Sequence, residues 1–135
     1  MNSINWSSIG MENVSELHRV VEVFEVTLRR GPKIEIKIFE DKNGQYMGIS
    51  NHSFLGPEQG DPYRSIKYQD SIERALNSSI EGLLMHDRED YSDDVVFYVT
   101  ESADRGEKIY FDGCGELVSY EEVMRRREQY TSNHL

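Results

Sequence analysis

The sequence contains a single cysteine, Cys114, so no disulfide bond can form within the chain. Small secreted domains usually depend on disulfide bonds, and a chain without them is expected in the reducing cytoplasm. No stretch reaches the roughly 18 uninterrupted apolar residues of a membrane-spanning helix, and residues 1–20 lack the basic start and apolar run of a secretion signal. We therefore predict a cytoplasmic protein that does not contact a membrane.

Proline is also scarce, with 3 copies, and no segment rich in proline or in the 10 glycines divides the 135 residues. The composition is 37% hydrophobic and 30% charged, as in folded and not in disordered proteins. A chain of this length buries one hydrophobic core. We predict a partly ordered N-terminal arm over 1–19, a single domain over 20–130 and a C-terminal tail over 131–135.

Basic residues are outnumbered, since 15 lysines and arginines face 25 aspartates and glutamates, for a net charge of -10. This charge repels phosphate groups and anionic lipids, so direct binding to nucleic acid is disfavoured. Solubility is the commonest role of such a charge. If the charge serves binding, the expected partner is a protein with a basic surface.

Two segments near the N-terminus alternate apolar with polar or charged residues, which is typical of half-buried strands. The apolar faces carry Phe24, Val26 and Leu28 in the first segment and Ile34, Ile36 and Ile38 in the second. Asn43-Gly44 then predicts a two-residue type I′ turn into a third strand, because both positions need positive φ. The resulting register pairs Ile38 with Ile49 and Phe39 with Gly48.

A connection over residues 51–65 leads to the longest predicted helix. We expect Asp70 to cap this helix, with Glu73 at the third position. One apolar stripe should cover the sheet, formed by Ile72, Ala75, Leu76, Ile80, Leu83 and Leu84.

Strand-like segments follow at 95–99, 109–111 and 116–118, and a turn is expected at 112–115. Ser119 and Glu122 form a capping-box pattern that opens a last helix, which should end near Tyr130. The predicted fold is α+β, with an antiparallel sheet in the order β-β-β-α-β-β-α, the long amphipathic helix on one face and a short C-terminal helix.

Two segments are candidate partner-binding surfaces. The first is the acidic link over 86–94, which we expect to present closely spaced carboxylates and to steer a basic partner. The second is the 51–65 connection, because long loops are often functional. The candidate residues are Asp87, Glu89, Asp90, Tyr91, Asp93 and Asp94 in the link, and Phe54, Glu58, Asp61 and Tyr63 in the connection.

Patterns for metal, nucleotide or covalent chemistry are missing. The acidic link lacks the spacing, mid-loop glycine and final glutamate of a calcium loop, and the four histidines have no zinc-binding spacing. His52, Ser53 and Asp61 stand without the G-x-S-x-G elbow of a hydrolase, and the glycines around Cys114 do not form a phosphate loop. Arg125-Arg126-Arg127 should form ion pairs with Glu121 and Glu122 within the last helix. We predict no catalytic residue, metal or cofactor.

The leading hypothesis is a non-enzymatic acidic protein of the inhibitor, immunity or antitoxin type, which binds and blocks a basic partner such as a nucleic-acid-processing enzyme. One alternative is a small hydrolase-like enzyme that uses His52 with Asp61 or Glu58 as acid and base. Another is an accessory subunit of a larger assembly. The sequence leaves the oligomeric state open, including a homodimer.

Overall fold

A computed structural model of the protein describes residues 4–10, 12–14, 17–28, 31–57, 67–84, 91–102 and 104–133. Within these ranges the chain forms two antiparallel sheets and two α-helices, which confirms the predicted α+β class. The first sheet has the order β1-β2-β3, and the second has the order β4-β5-β6-β7. The strands are β1 (Arg19–Thr27), β2 (Lys33–Glu40), β3 (Tyr46–Ser50), β4 (Ser53–Leu55), β5 (Phe97–Glu101), β6 (Lys108–Asp112) and β7 (Leu117–Val118). The helices are α1 (Ile72–Leu83) and α2 (Tyr120–Asn133), and a 3-10 turn spans Trp6–Ser8.

The chain passes from the first sheet to the second at the start of the connection that was predicted over 51–65. Residues 53–55, expected to lie in a loop, form strand β4 and pair with β5, with Phe54 opposite Tyr98. Only two residues separate β4 from β3, so the chain passes directly from the first sheet to the second. All three residues of β4 are buried.

The β2–β3 hairpin departs from the predicted turn. The Asp41 carboxylate accepts hydrogen bonds from the backbone N–H groups of Asn43 and Gln45, each at 2.9 Å. Gly44 has a φ of 76°, whereas Asn43 keeps a negative φ, so the connection is a three-residue loop and not a type I′ turn. The predicted register was therefore wrong by one residue.

In the observed register Ile38 lies opposite Gly48, and Phe39 lies opposite Met47. This register places Gly48 on the core face, and its lack of a side chain lets α1 approach the sheet closely there. A Cβ atom at Gly48 would overlap the Ser79 hydroxyl and would lie 2.9 Å from the Ala75 carbonyl oxygen. Ile49 instead points to the outer face of the sheet and is 39% exposed.

Helix α1 carries the predicted apolar stripe, which lies against the first core. Its N-cap is Ser71, whose hydroxyl accepts the Arg74 N–H at 3.1 Å. The predicted Asp70 cap was wrong, because the Asp70 carboxylate instead forms an ion pair with the Arg74 guanidinium at 3.3 Å.

The second sheet is covered on both faces. One face packs against the first sheet and α1 and forms the first core with them. The buried residues of this core include Ile34, Ile36, Ile38, Phe54, Ala75, Leu83, Val96 and Tyr98. The other face packs against α2 and includes Leu55, Phe97, Val99, Tyr110 and Val123. In the described part of the chain neither helix combines the length and the apolar character that crossing a membrane requires.

Candidate functional site

The described end of the acidic link, residues 91–94, is held by α2 and by the turn at 112–116. The Tyr91 ring packs edge-on against the Tyr130 ring, with centroids 6.0 Å apart. The Asp94 carbonyl oxygen accepts a hydrogen bond from the Arg126 guanidinium at 3.3 Å. We call these two segments, 91–94 and 112–116, together with the N-terminal part of α2 up to Arg126, the acidic corner.

Gly113 fixes the contact between the link and the turn. Its N–H donates to the Asp93 carbonyl oxygen at 2.8 Å. A Cβ atom at Gly113 would lie 2.7 Å from that same oxygen, so a side chain would push the two segments apart. The neighbouring Cys114 is exposed, and its Sγ lies 3.9 Å from an Asp93 carboxylate oxygen.

Asp112 organises the turn from inside the protein, where it is 5% exposed. Its Oδ1 accepts the N–H groups of Cys114 and Glu116, both at 3.0 Å. Its Oδ2 accepts a hydrogen bond from Arg126 at 3.2 Å. The sequence pattern predicted the turn but not the role of Asp112 in it. An aspartate that opens a Gly-Cys-Gly turn is the signal that could have found it, since aspartate side chains commonly bond the backbone two residues on.

The start of α2 follows the predicted pattern at Ser119, whose hydroxyl accepts the Glu122 N–H at 3.1 Å. The Glu122 carboxylate binds Arg125 at 2.6 and 2.8 Å and Arg126 at 2.8 Å. Hydrogen bonds from these two arginines lower the pKa of Glu122 to about 2. The predicted ion pairing within this helix is thus confirmed for Arg125 and Arg126.

An open depression of about 430 Å³ lies between the acidic link and α2. Both arginines in its wall are bonded to Glu122. The Asp94 carboxylate at its edge is exposed and accepts a hydrogen bond from the Ser92 hydroxyl. The depression is large enough to receive a partner side chain beside the Tyr130 ring. Its lining residues are Ser92, Asp94, Val95, Glu122, Arg125, Arg126, Gln129, Tyr130 and Asn133.

Of the other seven residues predicted to contact a partner, the structure describes one, Phe54. Phe54 is 2% exposed and packs edge-on against Tyr98 at a centroid distance of 6.1 Å, so it belongs to the core. Its assignment to a partner-binding surface is corrected, because the pairing of β4 with β5 turns this ring inward. The remaining six candidates lie outside the described residues: Glu58, Asp61, Tyr63, Asp87, Glu89 and Asp90.

His52, the centre of the alternative enzymatic hypothesis, is buried at 7% exposure. Its Nδ1 lies 2.7 Å from the Asn51 side-chain oxygen, and its ring centroid lies 5.6 Å from that of Phe111. Burial lowers the pKa of His52. The proposed acid–base partners Asp61 and Glu58 lie outside the described residues.

We expect His52 to make the protein less stable in mildly acidic solution. Because the folded state lowers the pKa of His52, the unfolded chain binds a proton more readily below a pH of about 6.5. The free energy of unfolding should fall as the pH drops from 7 toward the folded pKa. His52→Phe should flatten this dependence, as measured by urea denaturation at successive pH values. Equal slopes in the two proteins would show that His52 does not titrate in this way.

Among the described residues, no three histidine, cysteine, aspartate or glutamate side chains are arranged to hold a metal ion. Comparison of the chain with protein-family models, with curated proteins and with solved structures gave no match.

Proposed function

We propose that this protein is a non-enzymatic, acidic protein-binding module that binds and blocks a basic partner, as inhibitor, immunity and antitoxin proteins do. The observation that carries the proposal is the way residues 91–94 are held. Three contacts fix this segment: the Tyr91–Tyr130 ring pair and the hydrogen bonds to the carbonyl groups of Asp93 and Asp94. Its backbone is anchored while the Asp94 carboxylate remains exposed.

The charge around this segment is mainly negative. Residues 91–94 and 112–122 contain six acidic residues and no basic residue. Arg125 and Arg126 bind two of the six, Asp112 and Glu122. The other four carboxylates belong to half-exposed or exposed residues: Asp93, Asp94, Glu116 and Glu121.

A fixed acidic surface suits association with a basic protein for two reasons. A group of closely spaced carboxylates raises the rate at which a positively charged partner is captured, and the net charge of -10 acts in the same direction. Anchoring the backbone before binding also reduces the conformational entropy that the complex must lose. Tyr130 adds an aromatic surface beside the depression, of the kind that is enriched where protein interfaces concentrate their binding energy.

The double substitution Asp93→Asn with Asp94→Asn tests the proposal. We expect it to weaken binding of the native partner by about tenfold, because two partly exposed charge interactions are lost while the side-chain shapes are kept. Asp104→Asn with Glu107→Gln is the matched control, since it removes the same charge from exposed positions in the β5–β6 loop. Calorimetry with the partner that co-purifies from the native host would give the affinities. Unchanged affinity of the Asp93/Asp94 variant at low salt would refute the role of the acidic corner.

A further inference from the structure

Two places in the sequence combine an asparagine or aspartate with a following glycine, Asn43-Gly44 and Asp112-Gly113. At such places the backbone nitrogen of the second residue can attack the side-chain carbonyl carbon of the first and close a succinimide ring. Glycine favours the attack, because it has no Cβ atom to block the approach. Asparagine is also one of the thermolabile residues of proteins. The sequence therefore contains two candidate sites of spontaneous modification, and the fold determines which of them can react.

Asp112-Gly113 is held by close packing. The Asp112 carboxylate is buried and accepts hydrogen bonds from the 112–116 turn and from Arg126. The Gly113 nitrogen donates to the Asp93 carbonyl oxygen at 2.8 Å, and a Cβ atom at Gly113 would lie 2.7 Å from that oxygen. Ring closure requires this nitrogen to turn towards the Asp112 side chain, which would break these contacts. The folded protein is therefore protected at this site.

Asn43-Gly44 lies in the exposed loop of the β2–β3 hairpin. Asn43 joins the loop through its backbone N–H, and in the described part of the chain its side-chain amide has no hydrogen-bond partner. The Gly44 nitrogen donates to the Asp41 carbonyl oxygen at 3.2 Å, at the long end of the range for such bonds. Apart from its chain neighbours, nothing described lies within 4 Å of a Cβ position at Gly44. Both reacting groups are thus exposed, and one long hydrogen bond restrains the nitrogen.

We propose that Asn43 is a site of spontaneous deamidation. The Gly44 nitrogen attacks the side-chain carbonyl carbon of Asn43, so a new carbon–nitrogen bond forms and the bond to the amide NH2 group breaks. Ammonia leaves with the proton of the backbone nitrogen. Water then opens the succinimide at either carbonyl carbon, which leaves aspartate or isoaspartate at this position without any transfer of electrons. The inference concerns the first sheet and does not depend on the proposed function.

The reaction changes the loop in which Asn43 stands. Both products add a negative charge beside Asp41, and isoaspartate also adds one carbon atom to the main chain. The Asp41 carboxylate accepts the N–H groups of Asn43 and Gln45, each at 2.9 Å. The next residue, Tyr46, exchanges two backbone hydrogen bonds with Gln69, which precedes α1. Because a longer main chain displaces these groups, we expect the isoaspartate form to be less stable than the aspartate form.

Incubation of the full chain in mildly alkaline buffer, followed by peptide mapping with mass spectrometry, tests the inference. We expect Asn43 to react at least about tenfold faster than Asn77, which is also exposed but lies within α1. Helical hydrogen bonding restrains the nitrogen of Ser78, and its Cβ atom hinders the attack. Asn43→Gln is the matched control, since its side chain remains an exposed amide but must close a larger ring. This variant should show no reaction at the altered position.

Unfolding the chain separates the effect of the fold from that of the sequence. Isoaspartate formation at Asp112-Gly113 should be at least about tenfold slower in the folded chain than in urea, as measured by chromatography of the peptides. Asn43 should react in both states. The isoaspartate form of the incubated protein, isolated by ion exchange, should unfold at a lower urea concentration than the Asn43→Asp variant, which represents the other product.

Three results would overturn the inference. One is a reaction at Asn43 that is no faster than at Asn77 in the folded chain. Another is an equal rate at Asp112-Gly113 in the folded and the unfolded chain, because the fold would then not select the site. The third is an isoaspartate form as stable as Asn43→Asp, which would contradict the effect on the hairpin.

Discussion

Replacing Asp112 with alanine is expected to lower the free energy of unfolding by about 3 kcal/mol. The buried carboxylate accepts two backbone N–H groups in the 112–116 turn and binds Arg126 on α2. Its loss leaves those N–H groups without their acceptor and leaves Arg126 with Glu122 as its remaining carboxylate partner. The turn and the attachment of α2 to the second sheet are weakened together.

Urea denaturation followed by circular dichroism measures this effect. Asp112→Asn is the informative companion, because an amide keeps one oxygen for the turn but loses the charge that binds Arg126. Its effect should lie between those of the wild type and Asp112→Ala. If Asp112→Ala unfolds at the same urea concentration as the wild type, the carboxylate does not hold the acidic corner together.

Replacing Gly48 with valine should also destabilise the protein by about 3 kcal/mol, through overpacking of the core. The first added carbon would overlap the Ser79 hydroxyl and lie 2.9 Å from the Ala75 carbonyl oxygen, so α1 must move away from β3. Gly10→Val is the matched control, since a Cβ atom there meets nothing within 4 Å. The control should change stability by less than about 0.5 kcal/mol.

Thermal and urea unfolding of the two glycine variants would decide this point. Similar midpoints for Gly48→Val and the wild type would mean that α1 does not pack closely on β3. The result would also question the observed hairpin register, because that register is what places Gly48 and not Ile49 beneath the helix.

The parts of the fold that were predicted correctly depend on local periodicity. Alternation placed Phe24, Val26 and the three isoleucines of β2 on the core face, and helical spacing gave the stripe of α1. These patterns indicate burial directly, because one side of a strand or helix faces the core and the other faces solvent. Such information is present in the sequence before any long-range contact is known.

The predictions were wrong where the local structure depends on one side-chain hydrogen bond or on a segment distant in sequence. The Asp41 carboxylate turned the Asn43-Gly44 loop into a three-residue loop and shifted the register. Strand β4 exists because β5 pairs with it, although the two are separated by more than forty residues in sequence. Phe54 is buried for the same reason.

The candidate site was predicted in part. Charge pattern alone indicated the acidic link, and its described end, 91–94, lies in the acidic corner. The partners that hold it could not be predicted, since Arg126 reaches both Asp94 and Asp112 from a helix that the sequence does not place in space. The sequence composition therefore identifies the acidic link, but only the fold shows that residues 91–94 are held by contacts with α2 and the 112–116 turn.

The most direct test of the proposed function is the rate at which the purified chain associates with the partner that co-purifies with it, measured over a range of ionic strength. Because long-range attraction between exposed charges is screened by salt, the association rate should fall steeply as salt is added. It should already be lower at low salt in the Asp93→Asn/Asp94→Asn variant. An association rate that responds neither to salt nor to these substitutions would contradict binding through the acidic corner.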